Sequence, residues 1–369
     1  MPSPRGLCIR IGKGHGEGVR RLLLRHSLFD ASRKPRVTAS HIYFPITRLP
    51  LKNESEALGR VAAFEIKACT LPTARSPPPR SLADRLAGAI PSPLLADLPK
   101  SYDIMGDIIV IEDLAESLMP HREAIGAALL GAYPKTKTCL LKIGKVEGEW
   151  RVPTYRLLAG LDKTDTVYTE NGLRLRIDLA KAYFSPRLAY ERQRIAGMVK
   201  EDETLVDMFA GVGPFSLAIA KKVKATVHSI DINPDAIVLL KENISSNRLR
   251  GRVYPHCGDA AVVSGWLAGT ADRVIMNLPG SSLNFLKVAV TLLKPNGGLI
   301  HIYFFLADPQ AAHAASIVKG SLESYCSQVT IEGVRAVKEV APKKWQYVVD
   351  VACTGPGNPA TAGPPGRQL

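Results

Sequence analysis

The sequence predicts an α/β fold, with an open sheet of the nucleotide-binding kind in its C-terminal half and two smaller α/β modules before it. Two observations carry this. The first is the stretch 204–220, where an apolar run (Leu205, Val206) ends in Asp207, a glycine-bearing turn follows (Gly211, Gly213), and a helical stretch begins at Pro214. Strand, tight turn and helix in that order bring a ligand against backbone N–H groups and a helix N-terminus. The second is that further strand ends with polar residues follow in sequence. Val227–Asp231 closes 24 residues after Asp207, Val253 leads to Asp259, and Ala271–Asn277 leads to Pro279.

Along the chain, Cys8–Ile11 reads as a short strand and Gly16–Ser27 as a helix with Val19, Leu22, Leu23 and His26 on one face. His41–Ile46 and Ala62–Cys69 add strands and complete a module over 1–70. Residues 71–100, rich in Pro, Ser and Ala, read as a linker with one short helix near Leu82–Ala89. A mixed α/β domain is expected over 101–189. It holds a turn at Tyr102–Asp107 into a buried strand ending at Ile111, a helix near Pro120–Leu130, and strands near Thr138–Lys142, Thr166–Glu170 and Arg174–Ile177. The nucleotide-binding domain then occupies 190–353, its sheet completed by Gly298–Phe304 and Trp345–Val351. The segment 354–369 is too poor in apolar residues to pack and is expected to be disordered.

Charge narrows the class of substrate. The 369 residues carry a net +14, and the first 60 alone hold twelve Lys/Arg against four acids, a local +8. A basic module joined to a cofactor domain indicates a polyanionic substrate, because phosphate neutralisation supplies most sequence-independent nucleic-acid affinity. No apolar run reaches the roughly 18–20 residues of a membrane span. Met1-Pro2-Ser3-Pro4-Arg5 lacks the apolar core of a signal peptide, so a cytoplasmic protein is expected. The six cysteines (Cys8, Cys69, Cys139, Cys257, Cys326, Cys353) are scattered without a C-x-x-C pair. They read as small buried thiols in a reducing compartment rather than a disulfide framework or metal site.

The strand ends suggest which cofactor. Asp231 suits the hydroxyls of a ribose, since a carboxylate accepts two hydrogen bonds at once, and Asp259 suits an adenine amino group. Pro214 directly after the second glycine disfavours a close pyrophosphate cradle. Asp207 beside the turn would repel a pyrophosphate but suits the amino group of a methionine-derived cofactor. S-adenosylmethionine (SAM) is therefore the better fit, with Asn277 and Pro279 at the carboxyl edge of the sheet where a substrate sits.

With these pieces in place, the chain resembles the archaeal and eukaryotic tRNA (guanine-N1)-methyltransferases that modify guanine 37, a family with relatives in the wybutosine pathway. The likeness runs from about residue 8 to 352. It is carried by Ser101–Asp107, Val146–Arg151, Ala182–Arg187, Glu191-Arg192, Val206–Phe215, Ile230–Pro234 and Ile275–Pro279. It implies a Rossmann-like class I methyltransferase domain preceded by a mixed α/β domain and a small basic N-terminal domain. It implies a monomer whose partner is a tRNA containing guanine 37, and a direct displacement on the SAM methyl that needs no metal. Guanine N1 carries a proton, so methylation needs a base and a cation for the charge that builds on O6. The resemblance gives Glu191 the first role and Arg151 the second. It places Asn277 and Pro279 at the target base, and Arg192, Asp207, Gly211, Gly213, Asp231, Asp259 and Asn277 around SAM. Pro153-Thr154 and Leu161 depart from the family, which commonly has Arg and a polar or acidic residue at the first pair and an acid at the third. Three rivals stand beside this reading: a wybutosine-pathway enzyme that transfers the aminocarboxypropyl group of SAM or methylates a tricyclic guanine, a tRNA-binding protein with an inactive cofactor domain, and, more weakly, a small-molecule methyltransferase, which leaves the basic N-terminal module unexplained.

Overall fold

The computed structural model describes residues 6–72, 81–147, 152–307, 311–341 and 343–356. Arg151 and the segment from 357 onward, most of the expected disordered tail, lie outside the described residues. The chain divides into two compact units, Met1–Ser81 and Leu82–Leu369.

In the first unit, β1 (Gly6–Gly12), β2 (Arg36–Val37), β3 (His41–Pro45) and β4 (Phe64–Cys69) form an antiparallel sheet in the order β2-β3-β1-β4. Alternation puts Ile9 and Ile11 of β1 on one face, where they meet Val19 and Leu23 of α1 (Gly16–Arg25) and Leu58 of α2 (Lys52–Gly59). The sequence reading omits α2, which buries little besides Leu58. Its start is fixed instead by Glu54, whose carboxylate accepts the Leu51 N–H at 2.7 Å and pairs with Arg48 at 2.8 Å. The cysteines also differ from expectation. Cys8 on β1 and Cys69 on β4, 6.3 Å apart at Cα, form a disulfide, and Cys257 is exposed, so only Cys139, Cys326 and Cys353 are buried free thiols. The pairing comes from adjacent antiparallel strands that bring the two ends of the module together, which spacing alone does not reveal.

In the second unit, α3 (Leu82–Leu86) begins a segment expected as linker. Leu86, Ile90 and Leu98 are instead buried in one core with Ile109, Ile125 and Leu141. The linker reading therefore fails over 82–98, where an apolar residue every few positions reaches the neighbouring sheet. That sheet comprises β5 (Asp103–Met105), β6 (Ile108–Ile111), β7 (Thr138–Glu147) and β8 (Val152–Gly160) in that order, with α4 (Arg122–Ala132) on one face. The expected single turn into a strand is in fact a β5–β6 hairpin around Gly106 at φ +57°, and β8 was not anticipated. The sheet's other face, through Met105, Ile108, Val110 and Leu140, joins a core that continues to Leu205, Phe215 and Val253. This shared core is why 82–189 does not stand apart as its own unit.

The hairpin β9 (Asp165–Glu170) and β10 (Leu173–Asp178) leads through α5 (Ala189–Met198) into the large sheet. There follow β11 (Thr204–Asp207), α6 (Pro214–Lys222), β12 (Thr226–Asp231), α7 (Pro234–Ser245), β13 (Arg252–Cys257), α8 (Ala260–Val263), β14 (Arg273–Met276), α9 (Leu286–Leu292), β15 (Gly298–Leu306), α10 (Ala311–Leu322), β16 (Cys326–Ala341) and β17 (Lys344–Pro356). Asn243 of α7 and Asn247 just past its end bond the backbone of Arg176 and Arg174, fastening the hairpin to this sheet, while Thr166 of β9 bonds Asp107 at the β5–β6 turn of the preceding one. The order is β13-β12-β11-β14-β15-β17-β16, parallel from β13 to β15, with β17 inserted antiparallel between β15 and β16. Strand order reverses between β11 and β14, and the crevice outside the carboxyl ends at such a switch point is where open sheets bind ligand. β17 runs to Pro356, three residues past the boundary expected at 353.

Candidate active site

A cavity of about 810 Å³ opens at that switch point. Its floor is made by the segments leaving four parallel strands: Met208–Gly211 after β11, Asp231–Asn233 after β12, Asp259–Ala260 after β13 and Asn277–Pro279 after β14. The turn after β11 is tight because Gly211 and Gly213 adopt φ +55° and +85°. Gly213 caps α6 with Pro214 at its first position, and a Cβ on Gly213 would collide with Leu240. Gly211 lines the cavity; Gly213 serves the turn from behind.

Asp231 is held by backbone: the Gly211 N–H donates to Oδ2 at 2.6 Å and the Asn233 N–H to Oδ1 at 2.9 Å. Burial pushes its carboxyl up, and these two donors oppose the shift. Each oxygen keeps a further lone pair toward the cavity. Asp259 caps α8, accepting the Ala261 N–H at 2.8 Å, and also lines the cavity. Ile232, Phe209 and Ala260 supply apolar wall between the two acids. Two acceptor carboxylates, an open glycine and apolar surface fit the ribose, adenine and sulfonium parts of SAM.

The Asn277–Pro279 turn is pinned by its neighbours. Phe305 N–H donates to the Pro279 carbonyl at 3.2 Å, and Ser282 Oγ donates to the Met276 and Leu278 carbonyls at 3.0 and 2.9 Å. Gln346 of β17, 2 % exposed, donates from Nε2 to Asn277 Oδ1 at 3.3 Å. The far end of the cavity is charged. Arg187 pairs with Asp103 at 2.9 Å and Lys142 with Glu112 at 2.8 Å. Lys338 reaches Ser185 Oγ at 3.4 Å; burial pushes its ammonium pKa down, and Arg187 adds to the shift. Pro153, one of the departures from the family pattern, is part of this wall, whereas Leu161 is exposed.

Besides Gly213, three expected site residues stand outside the cavity lining. Asp207 does not line the cavity. It is 1 % exposed behind the glycine turn, with Oδ2 accepting from Ser216 Oγ at 2.7 Å and Oδ1 without a partner. Burial pushes its carboxyl up to about 7. Arg192, 1 % exposed, is likewise absent from the wall. Its Nε donates to Glu170 at 2.8 Å, Nη2 completes a two-pronged pair with the same carboxylate, and Nη1 donates to the Ser185 carbonyl at 3.1 Å. Arg192 thus ties β9 to the Phe184-Ser185 edge of the cavity. The pair is not legible in the sequence because the partner lies 22 residues upstream on another element.

Glu191 is 2 % exposed and lies outside the cavity lining. Arg194 Nε donates to both its oxygens at 3.0 Å, and Tyr303 OH donates to Oε1 at 2.8 Å. Arg194 also bonds Asp350, which meets His301 Nδ1, whose Nε2 lies 2.8 Å from Arg273 Nη1. A guanidinium only donates, so His301 Nε2 accepts and its Nδ1–H points to Asp350. Burial pushes the Asp350 carboxyl up, but His301 and Arg194 outweigh it and hold it at about 2. Arg151 falls outside the described residues. Gln346 and Lys338 were missed by sequence reading; the available signal was a glutamine inside the otherwise apolar run Trp345–Val349.

Residues 166–332 match the family model of the TRM5/TYW2 methyltransferase domain, 82–164 that of the TYW2 N-terminal domain, and 8–55 that of the tRNA methyltransferase 5 N-terminal domain. The chain is 35% identical over 346 residues to the tRNA (guanine(37)-N(1))-methyltransferase Trm5b of Pyrococcus abyssi, covering 93% of this chain and 98% of that one. Among solved structures it is similar to aTrm5 in complex with tRNALeu, at 33% identity and a TM-score of 0.74, covering 94% of this chain and 100% of that one. It is also similar to Methanocaldococcus jannaschii TYW2 in complex with AdoMet, at 28% identity and a TM-score of 0.53, covering 69% and 100%.

Proposed function

The chain belongs to the TRM5/TYW2 methyltransferase family, and on that premise we propose that it transfers the methyl group of SAM to N1 of guanine 37 in tRNA. The observation that carries this reading is the meeting, in one cavity, of the Gly211–Asp231–Asp259 floor with the pinned Asn277–Pro279 turn. SAM, when bound, supplies an electrophilic methyl on a positively charged sulfur. Asp231 accepts the ribose hydroxyls on the lone pairs its backbone donors leave free, and Asp259 faces the adenine end. Asn277 holds the edge of the target base, and Pro279 with Phe209 keeps water from the transfer path. Glu191 takes the N1 proton. For that its carboxylate must leave Arg194 and Tyr303 and turn toward the cavity. Arg151 balances the charge on O6, a role supported by the family resemblance alone.

The +8 charge of the first 60 residues supports tRNA as the partner. Action as a monomer in the cytoplasm belongs to the same proposal, and no described helix is long and apolar enough to cross a membrane. The match of 82–164 to the TYW2 N-terminal model favours a second reading, transfer onto an already modified guanine. The match of 8–55 to the methyltransferase 5 N-terminal model weighs toward simple N1 methylation.

The test is transfer from labelled SAM to unmodified transcripts carrying G37 or A37, followed by nucleoside mapping, with Glu191→Gln run alongside. N1-methylguanosine on the G37 transcript alone, lost in Glu191→Gln with SAM binding retained, is the expected result. No transfer to a folded G37 transcript by protein that binds SAM overturns the proposal and directs the search to modified guanines.

A further inference from the structure

We propose that Gln346 is a positioning residue that fixes the Asn277 amide with its N–H groups toward the cavity, so that the pocket selects a 6-oxo purine over a 6-amino one. The inference rests on the reading of the cavity as a guanine site and names the device that would make it selective. An asparagine amide carries two donors on one side and an acceptor on the other, and the two sides are nearly the same shape. Left free, it can present either. An enzyme that must tell guanine from adenine at this edge has to settle which side faces the base, because guanine offers the O6 acceptor where adenine offers an N6 donor.

Three features settle it here. The Asn277 backbone sits in a turn that Phe305 and Ser282 hold on both sides, so rotation about the side chain is the main freedom left. Gln346 Nε2 then donates to Asn277 Oδ1, which occupies the acceptor and leaves the Nδ2 donors for a ligand. Gln346 must in turn be held, or the pair could reverse together. It is 2 % exposed in β17 between β15 and β16, and it stands directly opposite Lys338 in the β16–β17 ladder. Opposed residues in such a ladder have Cβ atoms about 4.5–5.5 Å apart on one face. A cation on that side favours the glutamine amide with its oxygen toward the lysine and its nitrogen toward Asn277. The row Lys338–Gln346–Asn277 thus runs along the cavity with one polarity, from cation to exposed donors.

The experiment replaces Gln346 with a group of the same shape and opposite demand. The carboxylate introduced by Gln346→Glu only accepts, so the Asn277 amide turns its Nδ2 to the new group and its oxygen to the base. SAM affinity, measured first, reports that the cavity is intact. Affinities for G37 and A37 transcripts are then measured for wild type and variant. The expected result is a fall of about ten-fold or more in the G37:A37 ratio, the size of one correctly or wrongly matched polar contact. Gln346→Met, which keeps volume and removes the constraint, lowers the ratio less and guards against a variant that does not fold. Equal losses on both transcripts, or an unchanged ratio in either variant that binds SAM, overturn the inference. Failure of wild type to methylate G37 is a separate result and overturns the functional reading instead.

Discussion

Replacing Arg192 by methionine separates two roles for a residue that sequence places at the cofactor and structure places in an ion pair. The side chain is 1 % exposed, and its partner Glu170 has a side-chain exposure of 4 %, so neither charge is screened by water. Arg192→Met leaves the Glu170 carboxylate buried without a cation and strips the Ser185 carbonyl of its 3.1 Å donor. Breaking one side of a buried pair typically costs about 3–5 kcal/mol, most of it the penalty of the orphaned charge. The double variant Arg192→Met with Glu170→Leu removes both charges and recovers most of that loss. Urea unfolding followed by circular dichroism measures the stabilities, and calorimetric titration measures SAM affinity. A single variant as stable as wild type but with SAM binding abolished would refute the argument and restore Arg192 to the cofactor. A double variant no better than the single would show that the orphaned carboxylate is not the source of the loss.

Asp207 has its folded pKa raised to about 7 from an ordinary value near 3.8, so it favours the folded state while protonated and loses that contribution as pH rises between those values. Asp207→Asn is therefore expected to gain stability over wild type from about pH 4 to pH 7 and to hold a constant advantage above that; parallel melting curves across this range would contradict it. Asp231→Ala should weaken SAM binding about 10- to 100-fold, the range for hydrogen bonds to a charged acceptor, with tRNA affinity unchanged. Reduction of the Cys8–Cys69 disulfide, which closes a loop with a separation of 61 residues, should destabilise the N-terminal unit by up to about 4 kcal/mol. An unfolding transition indifferent to reductant would show that the bridge does not form in solution.

What was legible in the sequence was what is local. Asp207, Gly211, Gly213 and Asp231 lie on two consecutive strand–turn–helix units, so their order along the chain already states which residues surround the turn. Asn277 and Pro279 were found for the same reason. What was not legible depends on partners distant in sequence. Arg192 resembles a cofactor residue until Glu170 folds against it, and Gln346 means nothing until it meets Asn277, 69 residues earlier. The missed strands share another cause. β8 is an edge strand that carries Pro153, and β16 is an edge strand whose register shifts at Ile331/Gly333, Ala336/Lys338 and Glu339/Ala341 break the two-residue alternation by which a strand is recognised.

The antiparallel insertion of β17 also sets an order of assembly. The strands that lead into the cavity floor, β11 to β13, are adjacent in both chain and sheet, and they can pair as soon as residues up to 257 have been synthesised. The edge that holds Asn277 cannot be completed so early, because β17 delivers Gln346 only after residue 344 and must enter between two strands already made. On the ribosome, the nascent protein would thus acquire a place for SAM roughly ninety residues before it acquires the means to choose a nucleotide.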